Sequence, residues 1–195
     1  MSLSVWILFS INLIRMREIV NIHVGQAGVR MGHACWELFC REHNIQLDGT
    51  VSENGFQELS ADNTMYSSFF SGDSKGNYRP RSLFVDLEPS IIDEIRIGSH
   101  RNLFDSQCFL SEKEDASNVF YIGAYTAGAS VKEDALNKIR RLTENCDNPG
   151  GFIFTHSISG GTGSGLGQSL KLIIHIKYQS KALHFSPPLK ILILS

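Results

Sequence analysis

The residues with the most chemistry in the smallest space are Ser159-Gly160-Gly161-Thr162-Gly163-Ser164-Gly165. Successive glycines let several backbone N–H groups point into one concavity, which is how a phosphate chain is held without a lysine. The hydroxyls of Thr162 and Ser164 can add hydrogen bonds to phosphate oxygens. Glycine and serine also make flexible linkers. This run, however, follows the apolar strand-like segment Phe152-Ile153-Phe154-Thr155-His156-Ser157 and precedes a helical pattern from Leu166 to Tyr178. It is neither G-x-x-x-x-G-K-[ST] nor G-x-G-x-x-G, which disfavours a P-loop fold and a conventional dinucleotide dehydrogenase.

A second turn, Gly25-Gln26-Ala27-Gly28, lies between the β-branched run Glu18–Val24 and a helical pattern through Val29, Gly32, Cys35, Trp36 and Phe39. Its backbone and the Gln26 amide can also reach phosphate, although a tight strand-to-helix turn needs glycine on steric grounds alone. Asp86 and Glu88 follow the segment Ser82-Leu83-Phe84-Val85. They could hold Mg²⁺ directly or through its water shell, or they could simply dress a helix N-terminus with acid. Asp115 and Asn118, ahead of a third helical stretch, are ambiguous in the same way. Turns of this kind converging on one sheet edge point to a nucleoside di- or triphosphate with Mg²⁺. No nucleophile is paired with a base, and His156, inside an apolar strand, reads as a core residue.

The elements that must position these turns alternate between strand and helix. This predicts an α/β fold with a mostly parallel, Rossmann-like sheet flanked by helices. Pro89 sits at a first helical turn, with Ile91, Ile92 and Ile95 on one face of a helix stopping near Gly98. A short strand is expected within 107–111. One helical stretch carrying Val131, Ala135, Ile139 and Leu142 then runs up to Pro149. Residues 44–80, rich in Asn, Asp, Ser and Gly, read as the longest loop, exposed at its centre. After Pro187-Pro188, Leu189 to Leu194 is a last apolar run.

Composition agrees with one globular domain. The 195 residues are 42% hydrophobic and 19% charged, enough to bury roughly 70% of the unfolded surface. Eighteen basic and 20 acidic residues give a net charge of −2, with no footprint for nucleic acid. Cys35, Cys40, Cys108 and Cys146 form no C-x-x-C and suit a reducing compartment. Met1 to Ile14 is uncharged and apolar, but too short to span a bilayer as a helix. Its basic residues, Arg15 and Arg17, are on the wrong side for a signal peptide. The organisation expected is an apolar extension at 1–15, a nucleotide-binding domain at 16–186 and an apolar tail at 187–195, in a cytosolic protein that avoids membranes.

The combined motifs resemble tubulin. Ser159–Gly165 is similar to the tubulin signature, and its GTGSG core is shared with the bacterial cell-division GTPase of the same superfamily. The segment opening Met16-Arg-Glu-Ile-Val is similar to the eukaryotic tubulin N-terminus; Gly25-Gln-Ala-Gly-Val29, Ala34-Cys-Trp-Glu-Leu38 and Lys113-Glu-Asp-Ala116 look like α-type chains, and Val85-Asp-Leu-Glu-Pro89 fits the family too. The resemblance runs from Met16 to about Phe185 and implies the N-terminal nucleotide-binding half of a tubulin-type GTPase domain, incomplete as a tubulin. It implies a GTP-binding structural subunit of the microtubule cytoskeleton that pairs with a β-tubulin-like chain. It further implies GTP and Mg²⁺ as cofactors, with the nucleotide held and not turned over on an α-type chain. Gln26 and Ala27 would contact phosphates, with Asp86 and Glu88 by the Mg²⁺ and Ser90 beside them. Asp115, Ala116 and Asn118 would face the phosphates, and Ser157, Gly160, Gly161, Thr162, Gly163 and Ser164 would cradle the diphosphate. Arg30, Ser159 and Ile122 depart from the family pattern, standing for glutamine, glycine and arginine respectively. Two other readings stay open: a stand-alone GTPase of the superfamily, and a non-assembling tubulin-like product.

Overall fold

The computed structural model describes residues 17–51, 66–73, 76–179 and 190–194. All of the apolar extension (1–15), and residues 187–189 and 195 of the tail, lie outside the described residues.

Strand β1 (Glu18–Val24) runs into helix α1 (Gly25–Glu42) without an intervening residue. A hairpin of β2 (Phe70–Gly72) and β3 (Tyr78–Pro80) leads to β4 (Ser82–Asp86), α2 (Pro89–Ile97) and β5 (Phe109–Ser111). Helices α3 (Phe120–Tyr125) and α4 (Ala127–Glu144) precede β6 (Pro149–His156). A π-helical turn (Thr162–Leu166) then opens α5 (Gly167–Gln179), and β7 (Lys190–Leu194) closes the described chain. The main sheet has the order β5-β4-β1-β6-β7, and every neighbouring pair in it is parallel. Strand order therefore reverses direction at β1, where the chain moves first to β4 and later to β6. Open α/β sheets bind ligands beyond the carboxyl ends of the strands at such a point.

Side-chain alternation on the strands sorts the helices onto two faces. Val20, Ile22 and Val24 of β1, Leu83 and Val85 of β4, and Phe152 and Phe154 of β6 pack with Val131, Ala135 and Ile139 of α4 and with Leu170 and Ile174 of α5. The opposite face carries Phe84 against Val29, Trp36 and Cys40 of α1 and Ile91, Ile92 and Ile95 of α2. A parallel sheet buried on both faces needs strands this apolar. The polar exceptions on β1 are satisfied: His23 sits between Trp36 Nε1 (3.0 Å) and Thr155 Oγ1 (3.1 Å). At the amino end of the sheet, Glu18 is ion-paired with Arg81 and also accepts from the Asn148 N–H at 2.8 Å.

Two expectations need correction. Within the segment read as one long loop, residues 70–72 and 78–80 pair as an antiparallel hairpin. Tyr66 and Phe70 are buried there, with Phe70 against Trp36 at 5.4 Å between ring centroids. Aromatic anchoring onto α1 outweighs the turn-rich composition. The third helical stretch is two helices, because the backbone turns at Thr126 (φ −113°, ψ −93°).

Candidate functional site

The turns that leave β1, β4, β5 and β6 enclose a cavity of about 360 Å³ at the carboxyl edge of the sheet. It is lined by Gln26 and Ala27 from the first turn, Asp86 and Glu88 from the second, and Asp115 and Asn118 from the third. Ser157, Gly160, Gly161, Thr162 and Gly163 complete it from the fourth. Three residues named from the sequence do not line it. Ala116 is 1% exposed and lies beneath the glycine loop, where a Cβ built on Gly161 would fall 2.5 Å from its own. Ser164 turns its hydroxyl back to the Gly160 carbonyl. Ser90 instead donates to Glu88 Oε1 at 2.6 Å.

Backbone geometry sets the shape of the cavity. Gly25 has φ +73°, and a Cβ there would sit 2.9 Å from the Gly163 nitrogen, so the first turn and the glycine loop touch backbone to backbone. Gly160 bends the loop at φ +87°. Ser117 and Asn118 both have positive φ (47° and 57°), and the Val119 N–H closes on the Ala116 carbonyl at 2.8 Å. Two consecutive left-handed residues inside an i→i+3 bond are the signature of a type I′ turn. With no glycine in it, this turn is not readable from sequence. Val24, Gly25 and Ser159 also line the cavity. Ser159 opens the run read as phosphate-binding but was given no contact of its own; its hydroxyl lies 3.1 Å from that of Ser157.

The lining offers donors on one side and carboxylates on the other. Helix α1 begins with no side-chain cap and no acidic residue in its first turn. The π-turn that opens α5 is likewise uncapped. Orphan N–H groups at such ends favour an anion. Asp86, Glu88 and Asp115 supply negative charge, and no lysine or arginine is among the lining residues. Asp86 is 3% exposed. Its Oδ1 accepts weakly from the Glu88 N–H at 3.4 Å, while its Oδ2 is buried without a partner. Burial pushes the Asp86 carboxyl up to about 6; backbone N–H bonds from Glu88 and Leu87 oppose this, and the Glu88 and Asp115 charges add to it.

A buried carboxylate oxygen with no donor, beside a bed of N–H groups, fits a phosphate chain carried with a divalent cation. Among the described residues no cluster of three or more His, Cys, Asp or Glu could hold a metal by itself. Mg²⁺ ordinarily takes one or two carboxylates and completes its shell with phosphate oxygens and water. His156 is buried, with Nδ1 3.0 Å from the Ser157 carbonyl, and does not line the cavity.

The Tubulin/FtsZ family GTPase-domain model matches residues 18–188. The chain belongs to the Tubulin/FtsZ family. Within that family it is similar to α-type chains. It is 46% identical over 172 residues to the tubulin alpha-2 chain of Caenorhabditis elegans, covering 88% of this chain and 38% of that one. Against the tubulin alpha-1 chain of Arabidopsis thaliana it is 43% identical over 167 residues, or 86% of this chain and 37% of the relative. Against the tubulin alpha-1 chain of Schizosaccharomyces pombe it is 45% identical over 174 residues, or 88% and 38%. The chain thus spans less than two fifths of the length of these curated relatives. The strand order and switch-point cavity described above are those of its Tubulin/FtsZ GTPase domain. Among the described residues no helix is long and apolar enough to cross a membrane.

Proposed function

We propose that this chain binds a guanine nucleotide with Mg²⁺ in the switch-point cavity, as an α-tubulin-like component of the cytoplasmic microtubule cytoskeleton. The observation that carries this reading is the pairing of uncapped helix N-termini with the unpartnered buried Oδ2 of Asp86 across one cavity. Gln26, Ala27, Ser157 and Gly160 to Gly163 would bind the phosphates through backbone and side-chain donors. Asn118 would face them from the type I′ turn. Ala116 and Ser164 would act from behind the lining, fixing the loop's position and its bend.

Asp86 and Glu88 would hold the Mg²⁺, whose charge neutralises the carboxylates and the phosphates together. Ser90 orients Glu88 through their hydrogen bond. The family resemblance supports nucleotide held and not hydrolysed, and supports pairing with a β-tubulin-like chain. The domain organisation we propose is an apolar extension at 1–15, the nucleotide-binding unit at 16–186 and a tail at 187–195 whose strand β7 joins the sheet of that unit.

The test is nucleotide content and affinity of the purified 195-residue chain, by chromatography of released nucleotide and by calorimetry with GTP, GDP and ATP, with and without Mg²⁺. Magnesium-dependent GTP binding, with co-sedimentation in a microtubule pellet when a β-type chain is supplied, is the expected result. Absence of nucleotide binding under every condition refutes the site. GTP turnover by the chain alone would favour a stand-alone GTPase of the superfamily.

A further inference from the structure

We infer that Ser159 is a positioning residue for the nucleotide: its hydroxyl donates to Ser157 and so frees the Ser157 proton for the bound phosphates. The inference rests on the nucleotide reading above and extends it to a residue that acts through another.

The glycine loop commits its carbonyls elsewhere. The Gly160 carbonyl accepts from the Ser164 hydroxyl, and the Gly161 carbonyl accepts from the Gly165 N–H at 2.8 Å. Two acceptors that would repel a phosphate are thereby tied into the π-turn. A serine at position 157 is the ambiguous member of the lining, because its hydroxyl offers one proton and two lone pairs. A lone pair turned to a phosphate oxygen repels it, whereas the proton makes a charge-assisted hydrogen bond. With no lysine or arginine in the lining, each neutral donor carries more of the phosphate charge. Which way this hydroxyl points therefore matters.

The surroundings of Ser157 remove the ambiguity. A Cβ on Gly163 would fall 3.1 Å from both the nitrogen and the oxygen of Ser157, so the π-turn packs directly against its backbone. Ser157 Oγ accepts the Ser159 N–H at 3.1 Å, which occupies one lone pair. The Ser159 hydroxyl lies 3.1 Å from the same oxygen. When it donates, the second lone pair is filled, and the Ser157 proton is what remains for a ligand in the cavity that both residues line. The reverse order, Ser157 donating to Ser159, would spend that proton and leave a lone pair in its place. An anion in the cavity selects the first order. Each hydrogen bond in such a chain polarises the next, so the outward donor is strengthened as well as oriented.

Calorimetry of the full chain with GTP and Mg²⁺ tests this, with circular dichroism to check that each variant is folded. Ser159→Ala and Ser159→Gly should each bind about fivefold more weakly, the worth of one net hydrogen bond. Should one of them not fold, the other gives the answer. Ser159→Thr keeps the hydroxyl and should stay within about twofold of the parent. Ser157→Ala should also weaken binding by about fivefold or more. Adding Ser159→Ala to Ser157→Ala should cost nothing further, because the proton that Ser159 directs is already gone. Ser159 variants that bind like the parent overturn the inference. So does an equal loss from Ser159→Ala with and without the Ser157 hydroxyl, which would mark a separate contact or a loop effect, and so does a Ser159→Thr chain as weak as Ser159→Ala. A parent chain that binds GTP under no condition sinks the nucleotide reading and the inference together. A parent that binds, beside Ser159 variants that bind equally well, sinks the inference alone.

Discussion

Asp86→Asn separates the cost of the site from its use. The folded carboxyl sits at about 6 because it is buried, whereas an unfolded aspartate ionises near 3.9. The folded state therefore binds the proton more tightly, and stability is lost as pH rises through the window between these two values. Above about pH 6 the loss is complete. Two pKa units at 1.36 kcal/mol each put it at about 3 kcal/mol. Asparagine carries no charge, so it escapes this loss, but it leaves an amide in place of the unpartnered Oδ2, at a cost of about 1–3 kcal/mol. The two nearly cancel at pH 8, which makes a single-pH comparison uninformative.

The pH difference is informative. The amide cost does not titrate, so the variant's stability relative to the parent should rise by about 2–3 kcal/mol between pH 4 and pH 8. Urea denaturation of both proteins at several pH values, without nucleotide or Mg²⁺, measures it. Adding GTP and Mg²⁺ at pH 8 should make the parent clearly the more stable of the two. The parent gains the linkage term, about 2.7 kcal/mol at a hundredfold excess over the dissociation constant, and the variant loses its cation carboxylate. A stability difference that does not change with pH would refute the buried-charge reasoning. Equal stabilisation of both proteins by Mg²⁺-nucleotide would refute the role of Asp86.

His23 predicts an opposite acid response. Burial lowers its pKa from 6.5 to about 3, so it folds neutral and its contribution is lost as pH falls from 6.5 toward 3. Its ring resonances in NMR should not titrate between pH 7.5 and 4.5, and titration near 6.5 in the native protein would contradict its burial. Trp36→Phe removes the indole N–H that donates to His23 Nε2 at 3.0 Å; a loss of about 1–3 kcal/mol is expected in denaturant melts. Gly25→Ala places a methyl 2.9 Å from the Gly163 nitrogen at a positive φ, so nucleotide affinity should fall at least tenfold in calorimetry. Cys40 and Cys108 are buried, with thiols pushed up to about 11; in a thiol-labelling time course at pH 8 they should react only on unfolding, after half-exposed Cys35.

The strands β1, β4 and β6 and three sides of the cavity were legible because each is written in local sequence. Apolar runs ending at glycine or acid gave β1 and β4, the apolar run ahead of the glycine cluster gave β6, and Pro89 marked the start of α2. The missing parts depend on contacts distant in sequence. Tyr66 and Phe70 follow no single period, since Phe70 packs against Trp36 of α1 and Tyr66 against His43 just beyond it, not against neighbours along the strand. The break at Thr126 lies in a stretch whose composition is helical on both sides. Ala116 carries no functional group that sequence could test, and only the structure shows it packed under Gly161. Ser117 and Asn118 adopt a turn that glycine would have announced.

The cavity joins two costs that a single ligand would relieve. Helix α1 leaves its first N–H groups without a side-chain acceptor, and Asp86 leaves a carboxylate oxygen without a donor. Capping the helix with an aspartate or serine would remove the first cost, and replacing Asp86 would reduce the second. Either change would also fill or neutralise the place where phosphate and cation meet. A phosphate oxygen answers the N–H groups, and its accompanying cation answers the carboxylate, so one binding event settles both. The chain should accordingly be less stable without nucleotide than its packed core alone would make it, and stability should track nucleotide occupancy. Gly25, Gly160 and Gly163 belong to the same logic: a side chain there would occupy space that the backbone must leave open for its own donors to face inward.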